Sequence, residues 1–115
     1  MHPADRAQRV RAIITASKSD GDQVVRMRYV LFYELAEGAG GLAQEHFPAH
    51  RARLDAFHER GDLLLVGTFT DLPMGAMAVF TSREAAEEFM ADDPFLLHGV
   101  VGERRLREWD EILAP

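Results

Sequence analysis

An α+β fold is predicted between Met27 and Trp109, in the order strand, helix, strand, strand, helix, strand. Three observations carry it. Four short runs are rich in β-branched, aromatic and aliphatic residues and are bounded by turn-forming residues, as strands are. Two longer segments repeat apolar residues at spacings of three and four, the period of a helix packed on one face. The connection between the second and third runs, Asp71–Gly75, is so short that those strands must pair antiparallel.

The first strand is Arg28-Tyr29-Val30-Leu31-Phe32-Tyr33. Glu37-Gly38-Ala39-Gly40-Gly41 follows as a glycine-rich loop. A helix then runs from about Leu42 to Arg60, with Phe47, His50, Leu54 and Phe57 on one face. Pro48 is best tolerated in a first turn, so the regular helix is expected to begin near Phe47. Gly61 is placed to stop it. Leu63–Phe69 is the second strand, and Ala76–Phe80 is the third. Thr81-Ser82-Arg83-Glu84 has the form of a capping box opening the second helix, whose apolar side is Ala85, Ala86, Phe89 and Met90. Asp93-Pro94 ends that helix, and Asp93 is also placed to cap a short new turn with Pro94 at its first position. Val100 to Trp109 is the last strand, with Arg and Glu on its exposed side.

Two crossover units in this order make the split βαβ, ferredoxin-like arrangement: a four-stranded antiparallel sheet with two helices on one face. Helices on one face leave the other to be covered if it is apolar. Tyr29, Leu31 and Tyr33 alternate with Val30 and Phe32, so both faces of the first strand are apolar. The expected solution is a homodimer formed through the sheet faces.

Two parts are expected in the chain. Residues 1–26 form an N-terminal extension, with a short helix over Ala4–Ala16 and a polar turn at Ser17–Asp22; residues 27–115 form the compact domain. The 115 residues bound the core to a modest one. There is no Cys, which removes disulfides, thiolate nucleophiles and thiolate metal sites. The formal charge of −6 runs against nucleic-acid partners, whose binding rests on basic surface. No apolar stretch approaches the roughly 20 residues of a membrane span, and Ala12-Ile13-Ile14 is too short for the core of an export signal. A cytoplasmic address is expected.

His50 is the most informative single residue. An imidazole on an apolar helix face costs free energy unless it is hydrogen-bonded. Beside a carboxylate it has the chemistry of a general base; bonded to backbone or water, it is a histidine at the edge of the core. Asp93 has a ready role as a cap, and a cap residue is well fixed for a second task. Asp71 stands before Leu72-Pro73 and reads first as a turn residue. His46 and His50 lie four apart, a spacing that can place two metal ligands on one helix face, but no third ligand joins them and no metal is expected. Arg104, Arg105 and Arg107 read as a solvated strand face or a dimer contact. No phosphate-binding glycine loop, Ser–His–Asp order or nucleotide fingerprint is present.

From Met27 to Trp109 the chain resembles the YciI-like (YCII-related) family. The resemblance rests on Met27-Arg28-Tyr29-Val30-Leu31-Phe32-Tyr33, on His50-Arg51-Ala52-Arg53-Leu54, and on His58-Glu59-Arg60-Gly61-Asp62-Leu63-Leu64-Leu65-Val66-Gly67. It continues with Gly75 before an apolar strand, Ala91-Asp92-Asp93-Pro94-Phe95, and Gly99-Val100, all in order. The resemblance implies a dimeric α/β barrel without a cofactor. It also implies a suspected catalytic pair, which falls on His50 and Asp93, with Asp71 as a weaker candidate for substrate contact. Two functions follow as expectations. One is a cofactor-independent lyase or isomerase acting on a small cyclic or aromatic acid. The other is a non-catalytic dimer that binds a small ligand or serves as an accessory protein.

Overall fold

The computed structural model describes residues 26–115. The helix and turn expected in the N-terminal extension lie outside the described residues. The elements are β1 (Arg26–Leu35), α1 (Gly40–Glu59), β2 (Leu63–Thr68), β3 (Gly75–Phe80), α2 (Arg83–Ala91), α3 (Pro94–Leu97) and β4 (Val101–Glu111). That is the expected order with one short helix, α3, added at Asp93-Pro94. The strands form one four-stranded sheet in the order β2-β3-β1-β4, with β3 antiparallel to both β1 and β2. β3 thus lies between β1 and β2, and β1 lies between β3 and β4, which is the ferredoxin-like arrangement.

The register assigns the faces. Tyr29 pairs with Phe80, Leu31 with Ala78 and Tyr33 with Ala76. Leu31, Tyr33, Ala78 and Phe80 from this face join Phe57 of α1 and Ala85, Ala86 and Phe89 of α2 in the core. The alternate positions pair Val30 with Val79 and Phe32 with Met77, so the second face of the sheet is apolar as well. A register shift between Leu63 and Leu65 breaks the alternation of β2. As a result Leu63 is 1% exposed while Leu65 is 55% exposed.

The helix α1 differs from expectation at its start. It begins at Gly40, and Pro48 lies in its interior. An interior proline removes one N–H and crowds the carbonyl four residues back, at a cost of about 3 kcal/mol. Packing offsets this: His50 and Phe57 are buried, and Leu54 packs on the core. The C-terminus ends as expected at Gly61, whose φ is +85. The Gly61 N–H donates to the His58 carbonyl at 3.0 Å and the Asp62 N–H to the Phe57 carbonyl at 3.1 Å, so the last turn is satisfied by the chain that leaves it. Arg53 binds α1 to α2, donating to the carbonyls of Glu88 (2.6 Å) and Phe89 (3.0 Å). A cation at that helix end also suits the dipole.

The second helix is capped one residue later than the sequence suggested. Ser82, not Thr81, is the cap, and its hydroxyl accepts from the Ala85 N–H at 3.0 Å. Thr81 is committed elsewhere, with its N–H on the Asp62 carbonyl at 2.9 Å. Among the described residues no helix is long and apolar enough to cross a membrane.

Gly75 opens β3 where it passes β1. A Cβ there would lie 2.1 Å from the Tyr33 carbonyl oxygen, with backbone on every near side. Gly75→Ala must therefore push β3 off β1. Overpacking of this kind costs about 1–3 kcal/mol, and the upper end is expected because only backbone can yield. Urea denaturation of Gly75→Ala against the parent checks this; a difference under about 0.5 kcal/mol would contradict the close approach.

Candidate active site

The Asp-Pro turn delivers the centre of the site. Asp93 caps α3, its Oδ1 accepting from the Phe95 N–H at 3.2 Å. The same oxygen lies 2.6 Å from His50 Nδ1, and Oδ2 accepts from the Tyr33 hydroxyl at 2.6 Å. Asp93 has no exposure at all, and His50 is 7% exposed. Burying a carboxylate costs several kcal/mol. Hydrogen bonds to a charged group return roughly 1.5–3 kcal/mol each, so the three donors are on the scale needed to hold it. Capping and the contact with His50 coexist on one side chain.

The His50 ring is fixed on several sides. It stacks on Phe95 at 3.8 Å between centroids, nearly parallel, and meets the edge of Phe89 at 6.1 Å. One turn earlier on α1, His46 stacks on His98 at 3.9 Å, also nearly parallel. The short helix α3 is thus held against α1 by two ring stacks in succession. A carboxylate only accepts, so the contact with Asp93 assigns a proton to Nδ1; in the neutral ring, Nε2 is then the nitrogen with the free lone pair.

His50 opens onto a cavity of about 1010 Å³ beneath α1. Pockets that take small molecules span roughly 300–1,000 Å³, so this one has room for a ring compound. Its walls are mostly apolar and include Phe47, Leu54, Val66 and Phe95, with Tyr33 and His50 among the polar lining. Arg51 and Asp55, an exposed ion pair at 3.1 Å, also border it.

The two residues proposed from sequence as a pair, His50 and Asp93, are therefore in contact across 43 positions of chain. Asp71 is exposed in the loop between β2 and β3 and does not line the cavity. His46 and His50 point to different partners, His98 and Asp93. Among the described residues no group of three or more His, Cys, Asp or Glu is arranged to hold a metal. His58 donates from Nδ1 to the Leu63 carbonyl at 2.7 Å. Arg104, Arg105 and Arg107 are exposed on β4.

Sequence reading gave Tyr33 only a place on an apolar face. Its signal was available in part: a tyrosine alternating into the core must find a partner for its hydroxyl. Nothing local pointed to Phe95 as the ring under His50.

A split βαβ sheet with a buried His–Asp pair at a cavity under its first helix defines a ferredoxin-like α+β protein. The family model of the YCII-related domain matches residues 27–110, and the chain belongs to that family. Among solved structures it is similar to 5-chloro-2-hydroxyhydroquinone dehydrochlorinase from Burkholderia phenoliruptrix in complex with 2,5-dihydroxybenzoquinone. The identity is 15%, the TM-score is 0.63, and the match covers 72% of this chain and 93% of the other. It is similar too to a protein of unknown function from Nitrosomonas europaea, at 7% identity and a TM-score of 0.51, covering 79% and 93%. These likenesses concern the fold. No curated protein matches the chain.

Tyr33 gives the site a pH signature. Burial, first, and the bond to Asp93, second, push its phenol well above the ordinary 10.0. Above that pH the unfolded chain releases this proton while the folded chain keeps it. Its contribution to stability is therefore complete below pH 10 and declines above, by up to about 1.4 kcal/mol per pH unit. Urea stability should be unaffected by this group from pH 8 to near 10 and should then fall toward pH 11, steepening to this slope, and Tyr33→Phe should flatten that fall. An equal slope in both proteins would contradict the assignment.

Proposed function

We propose that this chain is a cofactor-independent lyase or isomerase acting on a small cyclic or aromatic acid, with His50 as the proton-transfer group and Asp93 orienting it. One observation carries the reading. The ring of His50 is tied at Nδ1 to a fully buried carboxylate while it borders an open, apolar cavity. That arrangement fixes the tautomer and gives the imidazolium formed on proton uptake an adjacent counter-charge. The apolar walls suit a ring, and His50 suits an acidic C–H or O–H. Proton abstraction would then lead to loss of a leaving group or to migration of a double bond. The fold likeness to a dehydrochlorinase supports this reading by analogy.

The proposal includes a cytoplasmic homodimer formed through the second face of the sheet, supported by the apolar character of Val30, Phe32, Met77 and Val79. Asp71 carries no step in it.

The test is a screen of halogenated and unhalogenated hydroxyquinones and cyclic hydroxy acids, followed by ultraviolet absorbance, with the parent and His50→Gln. Turnover lost by at least about 100-fold in His50→Gln is expected, the scale of general acid–base catalysis. Saturable binding by both proteins without turnover would favour the ligand-binding reading instead.

A further inference from the structure

Tyr33 stands at the back of the site, and its reach is set by the sheet. It pairs with Ala76, next to the last pair of the β1–β3 ladder, and it is 9% exposed. Its hydroxyl meets Asp93 across 60 positions of chain. The other two donors to Asp93, His50 Nδ1 and the Phe95 N–H, both go to Oδ1. Among the described residues, Tyr33 alone holds Oδ2.

That division matters because the last torsion of an aspartate is broad and roughly two-fold. Attachment through one oxygen leaves the carboxylate plane free to swing. A second bond, on the other oxygen, fixes the plane. We propose that Tyr33 is a positioning residue for His50: by holding Oδ2, it keeps Oδ1 aimed at Nδ1, so that Nδ1 stays protonated and Nε2 stays unprotonated for the cavity. This rests on the proposed role of His50 for its catalytic consequence, but the tautomer itself does not depend on any substrate.

The geometry also says what Tyr33 does not do. Its hydroxyl is spent on Asp93, and its proton is retained to high pH, so it serves neither as a base nor as a donor to ligand. Removal of the hydroxyl would leave Oδ2 buried without a partner. The carboxylate would then turn to share its remaining donors, and the Nδ1–H bond would lengthen.

The experiment is long-range ¹H–¹⁵N NMR of the histidine rings in the full chain at pH 7.5, in the parent and in Tyr33→Phe. The parent should show His50 as the Nδ1–H tautomer with a low-field ring proton. Tyr33→Phe should show a mixed tautomer and a weakened or lost low-field signal. An unchanged signal would overturn the proposal. Leu31→Ala, on the same strand and face, controls for general loosening: it should lower stability and leave the His50 signal in place. Loss of the signal there as well would make Tyr33 a packing residue and overturn the proposal. If Tyr33→Phe does not fold, 3-fluorotyrosine at position 33 keeps the bond and makes the phenol a stronger donor. It must then move the His50 ring-proton resonance, and a fixed resonance counts against the proposal.

Where turnover is found, kcat should fall on the order of tenfold in Tyr33→Phe with KM little changed, the usual scale for a group that orients a functional ligand. A protein that turns over nothing yet shows the tautomer change loses the proposed function and keeps this inference. A protein that turns over with an unaltered tautomer in Tyr33→Phe loses this inference alone.

Discussion

A carboxylate with no access to water sits where three parts of the chain meet. Asp93 takes the Tyr33 hydroxyl from the sheet, the His50 ring from α1, and the Phe95 N–H from its own turn. A charge in that place is tolerated only with every donor present. So the sheet, the first helix and the turn before the last strand must be in register with one another to within a hydrogen bond. The ring stacks of Phe95 on His50 and of His98 on His46 lie on either side of this requirement and make it cheaper to meet. The open space under α1 is then bordered by the polar groups that the fold has already had to fix.

The fold places the site by a simple geometric division. The second half of α1 lies on the core through Leu54 and Phe57, while the cavity runs along the helix from Gly40 past His50 to His58. Pro48 falls within the first half, where the helix is least held by the core. Gly75 brings β3 tightly against Tyr33, fixing the strand from which the hydroxyl projects. Arg53, anchored on the last carbonyls of α2, fixes the helix that carries His50. Rigid elements thus carry His50 and Tyr33, and Asp93 comes from a turn locked by its own cap.

Much of this was legible in the sequence, for physical reasons that can be named. Strand and helix order followed from period two against period three to four. The stop at Gly61 and the turn at Asp93-Pro94 followed from local chemistry that needs no tertiary context. His50 stood out because an imidazole on an apolar face demands a partner. What stayed hidden was non-local. The bond from Tyr33 to Asp93 spans 60 residues, and alternation alone reads Tyr33 as apolar. The early start of α1 was missed because local preference argues against Pro48 inside a helix, and packing overrode it. The shift of the cap from Thr81 to Ser82 turned on one backbone bond, Thr81 N–H to Asp62, that no local pattern announces.

The central claim is that His50 and Asp93 are energetically one unit at the heart of the domain. A double-mutant cycle measures it: urea stability of the parent, His50→Ala, Asp93→Ala and the double variant, all at one protein concentration so that any association is held constant. The account predicts that the two losses fail to add, with a coupling of about 1.5 kcal/mol or more, the scale of a hydrogen bond to a charged group. Losses that add within about 0.3 kcal/mol would contradict it, and would reduce the pair to two residues that merely lie close together.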